Sequence, residues 1–406
     1  MFTEISQFEP LFPARTGELE DLALKVVASS ARLEGRLAPE TLFEIAELLR
    51  VVNSYYSNLI EGHSTHPVDI ERAMKMDYSS DRDKRDLQIE SQVHIEVQKK
   101  IIALLGEDRE ANVTSPEFLR WIHREFYEKM PERLRWVKGE AEETDWVEAG
   151  EIRSRYVIVG RHVPPAHGAL RKFLKRFDEF YNPGKMHGLR PVVALAAAHH
   201  RLMWIHPFLD GNGRVARLFT DAYFHRIGLS GYGLWNVSRG LARRRDEYKR
   251  HLAAADSERQ NDYDGRGSLS DRTLTDFCSF FLEICLDQTE FMNNILALGR
   301  FLERLEKYVH LRNAGLIVNE KGEKLAALNP RAAEVLKQAA ITGEISRGEV
   351  FRIIEMSERT GRNILRGLLD EGLLTSKSEK GLLRLGFPVS AAGFWFPELY
   401  PTENKN

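Results

Sequence analysis

Twelve residues, His206-Pro-Phe-Leu-Asp-Gly-Asn-Gly-Arg-Val-Ala-Arg217, constrain this chain more than any others. Pro191 to Ile205 before them reads as an apolar helix, and Val215 to Ile227 after them as a second. A loop that ends in a helix N-terminus points free backbone N–H groups outward, and its dipole favours negative charge. His206 is the one group in the loop that takes a proton near neutral pH, which makes it the candidate general base. Asp210 is a hard oxygen ligand suited to Mg²⁺ held jointly with phosphates. Gly211 and Gly213 let the backbone approach an anion closely. Asn212 can donate to a phosphate oxygen. Arg214 and Arg217 carry permanent charge in a fork that matches phosphate, and at i and i+3 they share a helix face. Phe208 reads as the residue that anchors the loop in the core. The set points to phosphoryl chemistry with a metal.

Two other metal readings fail on spacing. A calcium loop counted from Asp210 would need a ligand at its fifth position and glycine at its sixth, where Arg214 and Val215 stand. His199, His200 and His206 lack the spacing and the Cys or Glu partner of a zinc site.

The length of 406 residues suggests two or three domains with a sizeable core. Net charge is −2, so nothing global suggests a nucleic-acid coat or a membrane-surface binder. Cys278 and Cys285, seven residues apart on one helical pattern, would lie roughly 10 Å from each other, too far for a disulfide. They read as free buried thiols. The N-terminus lacks an apolar signal core, and the run Val192–Ala198 is stopped by His199-His200-Arg201, so a cytoplasmic location and no membrane partner are expected.

Residues 1–16 read as an extended arm, broken by Pro10 and Pro13. Glu18–Leu33 has helical spacing. The cleanest helix carries Leu42, Ile45, Leu49, Val52, Tyr56 and Leu59 at alternating steps of three and four, and Gly62 stops it. A short helix follows at Pro67. Arg85–Leu105 is a long amphipathic one, ended by Gly106, and Ser115-Pro116-Glu117 opens the next. Residues 131–150 are polar and break the pattern. Tyr156–Val163, ahead of Pro164-Pro165, reads as a small β-hairpin. Helices resume at Ala169–Phe180 and, beyond the central loop, at Arg243–Ala255 and Leu274–Tyr308. After Asn329-Pro330 come helical patterns at Arg331–Ala340, Arg347–Glu355 and Arg359–Leu369. Strands at Leu373–Thr375 and Leu382–Leu385 follow, in the order of a winged helix-turn-helix. The expected division is 1–84, 85–290, a connector at 291–329, and 330–406.

The stretch His206–Arg217 resembles the signature of the Fic family, His-x-Phe-x-(Asp/Glu)-Gly-Asn-Gly-(Lys/Arg)-x-x-Arg, at every fixed position. The resemblance implies a mainly α fold: a Fic-type helical core with a β-hairpin flap at Tyr156–Val163, here followed by the winged helix. It implies transfer of AMP from ATP to a Ser, Thr or Tyr hydroxyl of a protein. His206 would deprotonate the hydroxyl and Asp210 would bind Mg²⁺. Gly211, Asn212 and Gly213 would cradle phosphates, and Arg214 and Arg217 would hold the β/γ end. Gly213 stands where the kinase-like branch of the family has lysine, which favours nucleotidyl transfer. Ser57-Asn-Leu-Ile-Glu61-Gly62 is similar to the family's inhibitory motif, (Ser/Thr)-x-x-x-Glu-(Gly/Asn). By that resemblance Glu61 would pair with Arg217, and Ser57 would help to position Glu61.

Expected partners are therefore ATP and a protein substrate, with self-modification and a homodimer left open. Arg359, Arg362 and Arg366 on the third C-terminal helix face nearby acids, so DNA is not favoured. Tyr232, Trp235 and Tyr248 read as core before adenine pocket, and Arg243–Arg245 as a solvated face. Two alternatives stand beside transfer: removal of AMP at the same site, and a DNA-binding regulator in which the Fic core is a sensor.

Overall fold

The computed structural model describes residues 2–138, 144–318 and 322–401, and within them the chain is mainly helical. The N-terminal arm packs Phe8 and Leu11 into the core, with Phe8 stacked 5.1 Å from Trp204. Then come α1 (Gly17–Ala31), α2 (Pro39–Glu61), α3 (Pro67–Met74) and α4 (Arg82–Glu107). Helix α2 opens on Pro39 at its first turn and closes on Gly62 at φ 94°, a left-handed stop that other residues resist. Helix α5 (Pro116–Tyr127) is capped by Ser115, whose hydroxyl accepts from Phe118 N.

Next are strands β1 (Trp136–Lys138) and β2 (Thr144–Trp146), then α6 (Leu170–Tyr181), α7 (Arg190–Ile205) and α8 (Asn212–Arg226). Helix α7 is the centre of the core. Val193 through Ala198 are wholly buried, and the helix packs on α1, α6, α8 and α11. Helices α9 (Val237–Arg243), α10 (Arg245–Ala255), α11 (Asp271–Ile295) and α12 (Leu298–Asn313) follow. The last part holds α13 (Ala332–Thr342), α14 (Arg347–Ile354), α15 (Glu358–Asp370), β3 (Leu374–Ser376), β4 (Leu383–Leu385) and α16 (Val389–Trp395).

The chain end returns to the N-terminal helices. Tyr56 of α2 donates to Leu399 O at 3.2 Å, Val389 N donates to Glu71 of α3 at 3.0 Å, and His66 bonds Pro401 O at 2.8 Å. Buried Arg239 of α9 donates to the carbonyls of Glu398 and Leu399. This satisfies a guanidinium that would be costly to leave bare.

Several expectations are corrected. The hairpin expected at Tyr156–Val163 is no ladder: it holds one isolated bridge, Val159 to His162, across a turn where Gly160 has φ 62°. Tyr156 and Ile158 have no facing strand to cover them and stay exposed. The two-stranded ladder lies earlier, in the polar stretch, where Trp136 pairs with Trp146 and Arg135 lies 4.1 Å over the Trp146 ring. Aromatic and cation contacts across strands supply what apolar alternation does not. Gly106 does not end its helix, because α4 runs on to Glu107. The boundaries expected at 84 and 290 fall inside α4 and α11, so neither cut lies in a linker. Helix α16 had no counterpart in the sequence reading. The two cysteines are free and buried. No helix among the described residues is long and apolar enough to cross a membrane.

Candidate active site

The loop between α7 and α8 is held in shape by backbone demands before any chemistry. Helix α7 ends on His206 in the left-handed region, φ 49°, a conformation that only a tightly held non-glycine residue keeps. Gly211 follows at φ 78°, and a side chain there would meet Tyr127 Cε2 at 2.6 Å. Asn212 closes the turn: its amide donates to Phe208 O at 2.9 Å and accepts from Phe208 N at 3.0 Å. The oxygen and one N–H of that amide thus close the loop, which leaves its second N–H as a donor. Phe208 is buried and stacks 4.1 Å from His123.

The general-base candidate is presented in its neutral form. His206 Nδ1 lies 3.3 Å from Met203 O, which suits an N–H donor there and leaves Nε2 as the proton acceptor. Burial pushes its pKa down to about 4. Arg153 fixes the loop from the other side, donating to His206 O at 2.8 Å and to Pro165 O at 2.7 Å. His162 of the 156–163 segment bonds Trp204 O at 2.8 Å.

Asp210 is held ionised. Burial opposes this, but Arg214, the Tyr127 hydroxyl and the Gly211 N–H outweigh it and lower its pKa. Tyr127 donates to Oδ2 at 2.5 Å and Arg214 to the same oxygen at 2.8 Å. Both of these bonds fall on one oxygen, which leaves the carboxylate acceptor capacity for a cation. Among the described residues no three His, Cys, Asp or Glu side chains gather to hold a metal alone. One carboxylate oxygen nonetheless fits Mg²⁺, which takes most of its ligands from water and substrate phosphates. Arg214 also pairs with Glu90, a wholly buried carboxylate on α4, and Glu90 in turn binds His63 at 2.7 Å. The hydrogen bond to Glu90 raises the His63 pKa.

The structure brings Glu61 and Ser57 of α2 onto Arg217 of α8. Arg217 NH2 donates to Glu61 Oε1 at 2.6 Å and to Ser57 O at 3.0 Å, and its Nε donates to Ser57 Oγ at 2.9 Å. Ser57 therefore holds the arginine and not the glutamate. Burial would raise the Glu61 pKa, but Arg217 and Arg214 reverse it and keep the carboxylate ionised. The carboxylate lies over the N-terminal turn of α8: a Cβ on Gly213 would overlap Glu61 Oε1. An anion of the protein itself thus sits where the helix offers its free N–H groups.

Five residues of the site escaped the sequence reading: Tyr127, His123, Glu90, His63 and Arg153. Only the i, i+4 step from His123 to Tyr127 hinted that two of them share a face. Of Tyr232, Trp235 and Tyr248, Tyr248 borders the site, its hydroxyl within reach of the Arg217 guanidinium. Trp235 and Tyr248 are core residues, with the Tyr248 hydroxyl 2.7 Å from His199 Nε2.

Comparison with known proteins agrees with this geometry. Residues 113–224 match the Fic/DOC family. Proteins named protein adenylyltransferase Fic from Drosophila grimshawi and Drosophila willistoni are each 44% identical over 84 residues. That stretch is 21% of this chain and only 17% of the length of those relatives. The solved structure of a Fic domain containing signaling protein from Bacteroides thetaiotaomicron shares the fold, with a TM-score of 0.52 at 20% identity over 68% of this chain and 97% of that one. Residues 113–224 of the chain thus form a Fic/DOC-type domain, with the His206–Arg217 turn inside the matched stretch.

Proposed function

We propose that this chain is a protein adenylyltransferase that moves AMP from ATP to a Ser, Thr or Tyr hydroxyl of a protein, held back by Glu61. The observation that carries the reading is the juxtaposition at the α8 N-terminus. A neutral imidazole, an ionised carboxylate with spare acceptor capacity, and an anion-binding helix end meet in one turn. His206 Nε2 takes the proton of the attacking hydroxyl as its oxygen bonds to the α-phosphorus, and pyrophosphate leaves. Asp210 would hold Mg²⁺, which supplies charge neutralisation for the phosphates. The Gly211–Gly213 backbone admits them, and Arg214 and Arg217 bind the outer phosphates once freed from Asp210 and Glu61. Most of the rate gain comes from positioning and charge, as in other phosphate displacements.

The lock follows from competition. A carboxylate and a γ-phosphate seek the same guanidinium fork, and with Glu61 in place the fork is taken. The exposed row Tyr156, Ile158 and Val159 beside the loop is suited to line up an extended target segment. The C-terminal α13–β4 unit is read as a winged helix with a protein-docking or dimer-supporting role. A cytoplasmic location remains part of this reading.

Intact-mass analysis tests the proposal. Glu61→Gly incubated with ATP, Mg²⁺ and host lysate is expected to add an AMP to itself or to a lysate protein, and His206→Ala to add none. Release of AMP from a modified protein without ATP, and no addition, would favour removal instead.

A further inference from the structure

We propose a second ligand site in this chain: a cavity between α2, α4, α8 and residues 232–236 that takes a small aromatic cation of the amidine or amine class. The cavity has a volume of about 250 Å³, room for one substituted ring. Leu49, Ile101 and Trp235 give it apolar walls. Its polar wall holds acceptors with spare capacity at Asp221 and Asn53, beside one buried donor without an acceptor, Arg50 Nε. Asp221 is a buried carboxylate, and among the described residues no ion pair engages it. Its two oxygens each accept one bond, from Asn53 Nδ2 at 2.6 Å and from the Tyr232 hydroxyl. An ionised carboxylate has about four acceptor positions, so half its capacity is unused. Asn53 Oδ1, beside it and also buried, has no partner at all.

Buried polar groups are paired in folded proteins, and one that is not needs a specific reason. Here an acceptor without a donor and a carboxylate without a cation adjoin the same unfilled volume. A planar amidinium supplies what both lack: a positive charge and N–H donors in a fork, on an apolar ring that suits the remaining walls. Two cations lie nearby: Arg50 of the same wall is offset by its ion pair with Glu47, although its buried Nε has no partner, and Arg217 acts on Asp221 only through space from one turn away. His225, the other titratable group on the wall, is held neutral by burial, its pKa down to about 4. Asp221 itself is ionised above about pH 6. The site lies along the same α2–α8 interface as the lock, since Asn53 is one turn before Ser57 and Asp221 one turn after Arg217. The site does not rest on the proposed transfer reaction.

The test is a titration of the full chain with benzamidine at pH 8, followed by nuclear magnetic resonance of the Asn53 side-chain amide and by calorimetry. Saturable binding is expected that moves the Asn53 signal. Asp221→Asn is expected to weaken it at least about tenfold, the loss of one charge-assisted contact. Ala46→Phe and Ile102→Trp, which fill the cavity from two different helices, are expected to abolish it while near-ultraviolet dichroism stays native. Benzyl alcohol, the same ring without the charge, is expected to bind at least about tenfold more weakly by the same contact. No saturable binding to the full chain would overturn the proposal. So would binding unchanged in both filling variants, or equal binding of benzyl alcohol.

Discussion

Gly213→Ala probes the lock by size alone. Gly213 is the second residue of α8 and has ordinary helical geometry, so alanine suits the backbone there. What alanine does not suit is Glu61: the new methyl would overlap Oε1, closer than any van der Waals contact. The overlapped atom ends a flexible side chain, so the carboxylate swings away and its 2.6 Å bond to Arg217 breaks. A charge-assisted hydrogen bond is worth about 1.5–3 kcal/mol. The Glu61 side chain is about a third exposed, so solvent screening reduces this to roughly 1–2 kcal/mol. The assay is hydrogen exchange of the last-turn amides of α2, Ser57 to Gly62, because local opening reads that turn without the rest of the chain. Their exchange is expected to speed up about 5- to 30-fold, at roughly 1.4 kcal/mol per tenfold. In a Glu61→Gly background the same methyl meets only the Arg217 guanidinium, at 3.1 Å and at the end of a flexible side chain, and should change these rates far less. Equal acceleration in both backgrounds, or none in either, would refute the reasoning.

Three further outcomes follow. The acid limb of the transfer rate should lie near pH 4 and not near 6.5, because burial lowers the His206 pKa to about 4 and only the neutral ring takes a proton; a rate–pH profile that halves near 6.5 would contradict it. Protonating His206 should also cost stability as pH falls from about 6.5 toward 4, visible as a melting temperature that declines over that window and less so in His206→Ala. Asp221 runs the other way: burial raises its pKa to about 6, so its ionisation costs stability as pH rises from about 4 through 6. Asp221→Asn should therefore gain stability at pH 8 relative to pH 5, by roughly 1.4 kcal/mol, because about half of the roughly 3 kcal/mol total at 1.36 kcal/mol per pKa unit has already accrued at pH 5; thermal melts at the two pH values would show no such gain if the carboxylate had a hidden partner.

The helices that carry the site were legible because their signals are local. Pro39 and Gly62 bracket α2, Ser115 caps α5, and the apolar run before His206 can only be a buried helix. The loop itself was legible because its base, acid, glycines and arginines are contiguous. What the sequence hid depends on side chains meeting from afar. Glu90 lies 124 residues from Arg214, and nothing in its surroundings marks it as a buried counter-ion. Tyr127 reads as an ordinary aromatic on an amphipathic helix until the fold sets its hydroxyl on Asp210. Asn212 shows the opposite limit. Its type suggested a phosphate donor, and turn closure takes its oxygen and one of its two amide N–H groups as well, a structural role that its type does not announce. The 156–163 segment was misread for a third reason: β-rich residues make a ladder only where a partner strand exists, and here the backbone closes on itself after one bridge.

The central claim is that Glu61 and the nucleotide compete for Arg217 beside a histidine base. Transfer of label from ATP carrying ³²P at the α-phosphate tests it most directly, run on the wild type, Glu61→Gly, Glu61→Gly with Arg217→Ala, and Glu61→Gly with His206→Ala. Weak labelling of the wild type is expected, with an increase of about tenfold or more when Glu61 is removed, the value of one freed charge-assisted contact. That increase is expected to be lost without Arg217, and no labelling is expected without His206. Glu61→Gly labelling no better than wild type, or labelling that survives the loss of His206, would contradict it.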